Sequence, residues 1–352
     1  MAMSERWDAA EFKARIDALL ADFLAEEARQ FLAIDDALRP VAEQLQAAAA
    51  HGKRLRAAFC YWGWRAADQP DSDALVRAAA SMELVHAAAV VHDDIIDDSP
   101  LRHNLPTVHI ALQAPLTGRP QRRAAARSLA MLVGDHLVAL AGQLFATSGL
   151  PAAYLARARP MWAELARELV AGECLEILST GTSPDTDVSL KVVRYKTAKY
   201  TVEQPLLIGG LLAGASPRLR VGLSAYGLPL GEAFQLRDDL LGLFGEPGCT
   251  GKASLDDIRG HRPTALLAKT WQAALPAQRE HLAGVLGRRG LTEEHLHDVR
   301  ELMVALKAPE QVEEMIDARV QEAIRHLDKL DLPCSARQAL TALAGSATDR
   351  RH

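Results

Sequence analysis

The sequence predicts an all-α protein, a single-domain helical bundle. Three observations carry this. Alternating apolar and polar positions of the strand type are almost absent. Apolar residues instead recur at three- and four-residue spacing through long windows, the period of a helix with one buried face. Alanine and leucine dominate, while aromatic residues make up only 5% of the chain. With 49% hydrophobic residues in 352, there is ample material for a large core. Length alone would fit two average domains, but no segment is long or biased enough to be a linker and no repeat has a fixed period. One domain over 1–352 is the economical organisation.

In chain order, the periodicity places helices at 8–29, 31–49, 53–68 and 72–98, the last ending at the Ser99–Pro100 turn. "LTGRPQ" (116–121) concentrates Gly and Pro and reads as a loop. Helices at 122–147 and 151–178 follow, then the loop "TGTSPDTD" (180–187), then helices at 188–213 and 217–245. A third loop, "EPGCTGKASLDD" (246–257), precedes shorter helices at 262–275, 277–288, 293–306 and 309–329.

The net charge of −5 and isoelectric point near 6.2 argue against a general nucleic-acid binder. Cys60, Cys174, Cys249 and Cys334 are scattered without pairing or zinc spacing, as in a reducing cytosol. The opening "MAMSERWDAAEFKARID" carries charges where a secretion signal needs an apolar run. No apolar stretch reaches the roughly 20 residues that cross a bilayer. The expectation is a soluble, cytoplasmic protein with no transmembrane segment.

The informative stretch is "VHDDIIDDSP" (91–100), four aspartates within six positions at the end of an apolar helix. Asp93 and Asp97 are four apart, as are Asp94 and Asp98, so each pair shares one helix face. Two carboxylates about 5 Å apart repel by roughly 3 kcal/mol at an effective dielectric of about 20. A helix C-terminus is already negative, so the arrangement costs stability unless a cation occupies it or the helix end is frayed and solvated. A second stretch, "GEAFQLRDDLLGLFG" (231–245), repeats the design with Asp238 and Asp239. Two such helices facing each other across a cavity would offer the all-oxygen donors that suit Mg²⁺ bridging carboxylates to substrate phosphates. Asp256–Asp257 is better read as a loop or helix N-cap pair.

Basic residues accompany both stretches: Lys53, Arg54 and Arg56 in "HGKRLR", then Arg102, Lys196, Arg259 and Arg262. Singly, each is most often a solvated surface charge. Together they supply the Arg forks and Lys point charges of phosphate recognition, and with carboxylates and Mg²⁺ they describe a diphosphate site.

"DDIID" and "FQLRDD", flanked by "GKRLR", "YKTAKY" and "TGK" in this order, resemble the trans-isoprenyl diphosphate synthases, the polyprenyl synthetase family, and most of all its bacterial geranylgeranyl diphosphate synthases. The resemblance runs from about 50 to 270, with compatible helices to about 330. It implies an isoprenoid synthase helical bundle around a deep central cavity, a homodimer, and head-to-tail joining of an allylic diphosphate to isopentenyl diphosphate. It further implies that Asp93, Asp97 and Asp238 hold three Mg²⁺ on the allylic diphosphate, with Asp94 and Asp239 in support. Arg102, Lys196, Lys252 and Arg262 would hold that diphosphate. Lys53, Arg56 and His86 would hold isopentenyl diphosphate, His86 lying two helical turns before Asp93 on the same face. Thr197 and Gln235 would aim oxygen dipoles at the allylic carbon. No separate nucleophile is needed, so His92 and His103 are not cast as catalytic bases.

By the same resemblance the growing tail runs past Ala88 and Ala89, where aromatic residues in relatives close the pocket at fifteen carbons. Two alanines leave room, which favours the C20 product, geranylgeranyl diphosphate. The alanines would also suit plain close helix packing, and the floor could instead be set by Met131 or Leu132.

The chain departs from the family pattern at four places. His103 stands where a second arginine is usual, with Asn104 for glycine. His51 stands for glycine before Gly52. Gly242 replaces a third aspartate, and "RGHRPT" (259–264) is rearranged. A histidine at 103 is a weaker, pH-dependent substitute for arginine. These departures keep two rivals in play: a terpene cyclase or lyase acting on a prenyl diphosphate alone, and a non-catalytic regulatory subunit. The retained Lys53, Arg56 and His86 speak against the first, and the intact aspartates against the second.

Overall fold

Residues 7–245, 258, 260–286, 288 and 290–348 are described by a computed structural model. Helix α1 (Ala9–Ile34) starts where the Asp8 carboxylate accepts from the Ala10 and Glu11 amides at 2.8 and 3.0 Å. Its buried stripe, Phe12, Ile16, Leu20, Leu24 and Ala28, recurs every fourth residue. The expected break near position 30 is absent, because nothing there opposes a helix. The chain turns instead at Asp35, which is extended and caps a short 3₁₀ turn before α2 (Arg39–Ala49).

Helix α3 (Leu55–Arg65) is almost entirely core, and α4 (Asp73–Ile96) buries a little over half of its residues. A two-residue antiparallel hairpin follows, β1 (Leu101–Arg102) with β2 (Leu105–Pro106), and one turn of helix α5 (Val108–Ala111). The sequence hid both, since neither is long enough to show a period. The hairpin's two turn residues, His103 and Asn104, have φ of 53° and 62°. That is the mirror-image turn matched to strand twist, and asparagine tolerates it in glycine's place.

Helices α6 (Arg122–Ala146) and α7 (Ala152–Ser179) match expectation within a residue or two. The expected single helix over 188–213 is three pieces: α8 (Thr186–Val192), a π-helical segment (Val193–Glu203) and α9 (Gln204–Ala213). Pro205 has no N–H to return to the carbonyl four residues back, and the Gln204 amide bonds Lys199 O, five back, widening the turn. Helix α10 (Pro217–Phe244) spans two apolar clusters, its first half in the core of α1–α9 and its second half among α11 (Ala265–Ala273), α12 (Pro276–Leu286), α13 (Glu293–Ala305) and α14 (Ala308–Asp328).

A last helix, α15 (Cys334–Thr348), lies beyond the expected end at 329. Its buried face is mostly alanine, a weak periodic signal. It is tied down by the Tyr226 hydroxyl donating to Leu340 O (2.7 Å) and by Arg237 donating to Thr348 O (3.0 Å).

The expectation that no stretch is apolar enough to cross a membrane is corrected by α4 and α6. Each is long and apolar enough by length and composition, with mean hydropathies of 1.5 and 1.6. The two pack on each other in the core, and 67% of the α4 window is buried.

Candidate active site

Helix α4 delivers its acids into a knot of ion pairs. Arg102, on the hairpin, reaches back to Asp93 Oδ2 at 3.1 Å and to Asp94 Oδ1 through Nη2 at 2.5 Å and Nε at 3.1 Å. Asp94 is 3% exposed, so this pair is desolvated; removing one partner of such a pair costs about 3–5 kcal/mol. The carboxylate of Asp97 is paired with Arg262, which arrives from just before α11. Burial pushes the Asp97 carboxyl up to about 6, and the Asp93 charge adds to the shift.

The π segment brings Lys196 to the same place. Its ammonium lies 2.9 Å from Asp93, 2.7 Å from Glu176 and 3.0 Å from Glu173. Burial works against its charge, but the three carboxylates outweigh it and hold the ammonium well above the usual lysine range. Glu173 moves the other way from a free carboxylate, raised by burial despite Lys196.

Close backbone approach sets this position. A Cβ at Gly172 of α7 would stand 2.2 Å from Lys196 N, and one at Gly231 of α10 would stand 2.4 Å from Ala198 O. The widened segment is therefore clamped between two helices flattened by glycine. Gln235 and Asp238 follow Gly231 by one and two turns on the same face of α10, and Gln235 donates to Asp239 at 2.6 Å. Thr197, next to Lys196, is buried.

Oxygen atoms of Asp93, Asp97 and Glu176 lie within 4.8 Å of one another. That hard, all-oxygen donor set fits Mg²⁺. Among the described residues Asp238 and Asp239 are not part of this group. Glu173 and Glu176 are what the sequence reading missed: an acidic i, i+3 pair in the last two turns of α7, directly after Gly172.

A second, basic locus adjoins the first. Arg56 is buried, donates through Nη2 to Tyr200 Oη (2.7 Å) and Thr201 Oγ1 (2.9 Å), and lies 4.4 Å over the Tyr200 ring. His86 Nδ1 is 3.3 Å from Tyr200 Oη. Burial, and then the charges of Arg56, Arg102, Arg54 and His103, hold its imidazole well below the ordinary range and hence neutral. Lys53 is exposed at the start of α3. Arg54, by contrast, is turned inward onto Asp17, Ala49 O and His51 O, and fastens the loop.

One expectation changes. Met131 and Leu132, candidates for a pocket floor, are 49% and 56% exposed; Ala130, Val133 and Leu137 are the α6 residues buried in the core. His92 faces α6, with Nε2 3.3 Å from Met131 O and 3.4 Å from Asp135, away from any catalytic part. Ala88 is fully packed, whereas Ala89 is half-buried on the face of α4 that carries His86 and Asp93. Lys252, Asp256, Asp257 and Arg259 lie outside the described residues.

The profile of the polyprenyl synthetase family matches residues 39–303. A (2E,6E)-farnesyl diphosphate synthase of Mycobacterium tuberculosis is 34% identical over 224 residues, 63% of this chain and 57% of that enzyme's length. An octaprenyl diphosphate synthase of Escherichia coli is 29% identical over 85% of this chain and 86% of its own. A crystal structure of geranylgeranyl pyrophosphate synthase from Corynebacterium glutamicum, complexed with isoprenyl diphosphate and magnesium, superimposes with a TM-score of 0.93 and 34% identity, covering 98% of this chain and all of that one.

Proposed function

The chain belongs to the polyprenyl synthetase family, and from that premise we propose that it is a trans-prenyltransferase joining an allylic diphosphate to isopentenyl diphosphate head to tail. The observation that carries this is the convergence of Asp93, Asp97 and Glu176 with Lys196, Arg102 and Arg262.

Asp93, Asp97 and Asp238, with Glu176 beside the first two, would hold Mg²⁺, which supplies electrostatic stabilisation of the departing diphosphate. Lys196, Arg102 and Arg262 each have a carboxylate partner now; a bound anion would draw them off those partners and onto its oxygens. Asp94 would keep Arg102 aimed, and Asp239 would orient Gln235. Lys252 completes the allylic diphosphate set by resemblance.

As the carbon–oxygen bond breaks, positive charge grows on the allylic carbon. Thr197 and Gln235 offer oxygen dipoles to it, and the apolar face of α4 excludes the water that would capture it. Lys53, Arg56 and His86 would present isopentenyl diphosphate so that its double bond attacks that carbon. The released diphosphate takes the final proton. A neutral His86 serves as a hydrogen-bonding group, not as a competing base.

For the product we propose the C20 diphosphate, geranylgeranyl diphosphate. Ala89, on the face of Asp93, adds no bulk to the path of the tail, and each further buried CH₂ contributes about 0.8 kcal/mol. We further propose one catalytic domain, since α10 belongs to both apolar clusters, and a cytoplasmic homodimer. The apolar side chains of Met131, Leu132, Val138, Val170 and Leu178, uncovered on α6 and α7, suit such an interface.

The test offers farnesyl diphosphate with and without isopentenyl diphosphate in Mg²⁺ buffer and identifies products by mass spectrometry. A C20 diphosphate formed only with both substrates supports the proposal. Hydrocarbon or alcohol from the allylic substrate alone overturns it in favour of a cyclase or lyase, and no consumption of either substrate in favour of a regulatory subunit.

A further inference from the structure

The two histidines that depart from the family pattern at the isopentenyl side meet in space. His51, in the loop between α2 and α3, and His103, at the hairpin tip, have ring centroids 6.1 Å apart with planes at 55°. Both are exposed. Each is set by unusual backbone. Gly52 has φ 132° and Arg54 φ 57°, and the inward Arg54 guanidinium fixes the loop by donating to His51 O at 3.0 Å. The left-handed turn residues of the hairpin place His103 opposite.

The surroundings favour an anion. Arg56 and His86 lie behind the pair, Arg102 flanks it, and Arg56 Nε is buried without a hydrogen-bond partner. Helix α3 begins three residues after Gly52 with no side-chain cap and no acidic residue in its first turn, and an uncapped N-terminus with its positive dipole end favours an anion.

We propose that His51 and His103 act as a pair, forming the outer wall of the isopentenyl diphosphate subsite and taking up protons as the diphosphate binds between them. The proposal rests on the prenyl-transfer reading above. Two imidazoles would do what one guanidinium does elsewhere in the family, with a difference: a guanidinium is always charged, whereas an imidazole titrates near 6.5. Among the described residues, Lys53, Arg54, Arg56 and Arg102 bring positive charge to the neighbourhood of the pair. Among the described residues, Asp17 is paired with Arg54, and Asp93 and Asp94 with Arg102. A diphosphate bound between the rings would draw protons onto them, forming charge-assisted hydrogen bonds. Isopentenyl diphosphate affinity should therefore rise as the pH falls from about 8 to about 6.

The experiment is calorimetry of isopentenyl diphosphate binding to the full chain in buffers of different ionisation enthalpy, paired with KM measurements. The proteins are wild type, His51→Gln, His103→Asn, the double variant and His103→Arg. Asparagine suits the left-handed position, so His103→Asn removes the imidazole without straining the turn. Comparing variants at one pH cancels the ligand's own protonation. The expected result is proton uptake by the wild type that is lost in the double variant. KM for isopentenyl diphosphate should rise roughly ten-fold, and KM for the allylic substrate should move far less. His103→Arg should restore affinity without proton uptake. Undiminished uptake and an unchanged KM in the double variant would overturn the pairing while leaving prenyl transfer intact. A wild type that consumes allylic diphosphate but does not bind isopentenyl diphosphate would overturn both.

Discussion

Lys196 Nζ lies 2.9 Å from Asp93 Oδ1, although the π segment and α4 are far apart in sequence. The same ammonium is shared with Glu173 and Glu176. The contact joins the first acidic motif to the helix that carries Thr197, and a positive charge sits among carboxylates that a metal–diphosphate complex would otherwise engage.

Glu176 should behave as a metal-binding residue. Glu176→Gln keeps the shape and a hydrogen bond to Lys196 but removes a charged oxygen from the group of three. Mg²⁺ affinity, read by calorimetry in the presence of an unreactive allylic diphosphate analogue, should weaken roughly 10- to 100-fold. An unchanged affinity would reduce Glu176 to a partner of Lys196 alone.

Metal binding should follow the Asp97 titration. Its carboxyl is raised to about 6, so the folded state holds this proton more tightly than the unfolded chain does. Folding stability from this group is therefore greatest at low pH and is lost as pH rises from about 4 through 6. Mg²⁺ competes with the same proton, so its stabilisation should be small at pH 5 and reach a plateau above about 7. Thermal melts with and without Mg²⁺ across that range test this; an equal shift at pH 5 and pH 8 would contradict it.

Gly172→Ala should push Lys196 out of place, because the new Cβ would meet its backbone nitrogen at 2.2 Å. The cost should be about 1–3 kcal/mol of stability, visible as a lower melting temperature, together with a fall in kcat larger than that in a control alanine at Gly142, where a new Cβ meets nothing within 4 Å. A variant with wild-type kcat would show that the clamp does not set the site.

Ala89→Phe should shorten the product. The half-buried position on the Asp93 face can take a ring with less disturbance than the fully packed Ala88. Mass spectrometry should show a shift from C20 towards C15. The same product from both proteins would place the floor elsewhere.

Much of this site was legible in the sequence because its parts are spaced by helix geometry. Asp93 and Asp97, four apart, and His86, two turns earlier, announce one face of one helix, and the structure keeps them there. Glu173 and Glu176 were hidden because a spaced acidic pair looks like any solvated helix face until Lys196 is brought against it. The π turn was hidden because its cause, the missing N–H of Pro205, acts on a carbonyl four residues earlier while the apolar pattern continues unbroken. The meeting of His51 with His103 depends on two left-handed backbones, and no period in the sequence reports those. Helix α15 escaped because alanines make up much of its buried face, where apolar and small cannot be told apart.

Incorporation of labelled isopentenyl diphosphate into a prenyl diphosphate, compared between wild type and Asp93→Ala at saturating Mg²⁺, tests the central claim most directly. The wild type should incorporate label only when an allylic diphosphate is present. Loss of the Asp93 carboxylate should lower the rate by about two to three orders of magnitude. Incorporation by Asp93→Ala at the wild-type rate would contradict the assignment of this carboxylate cluster as the place where the reaction occurs.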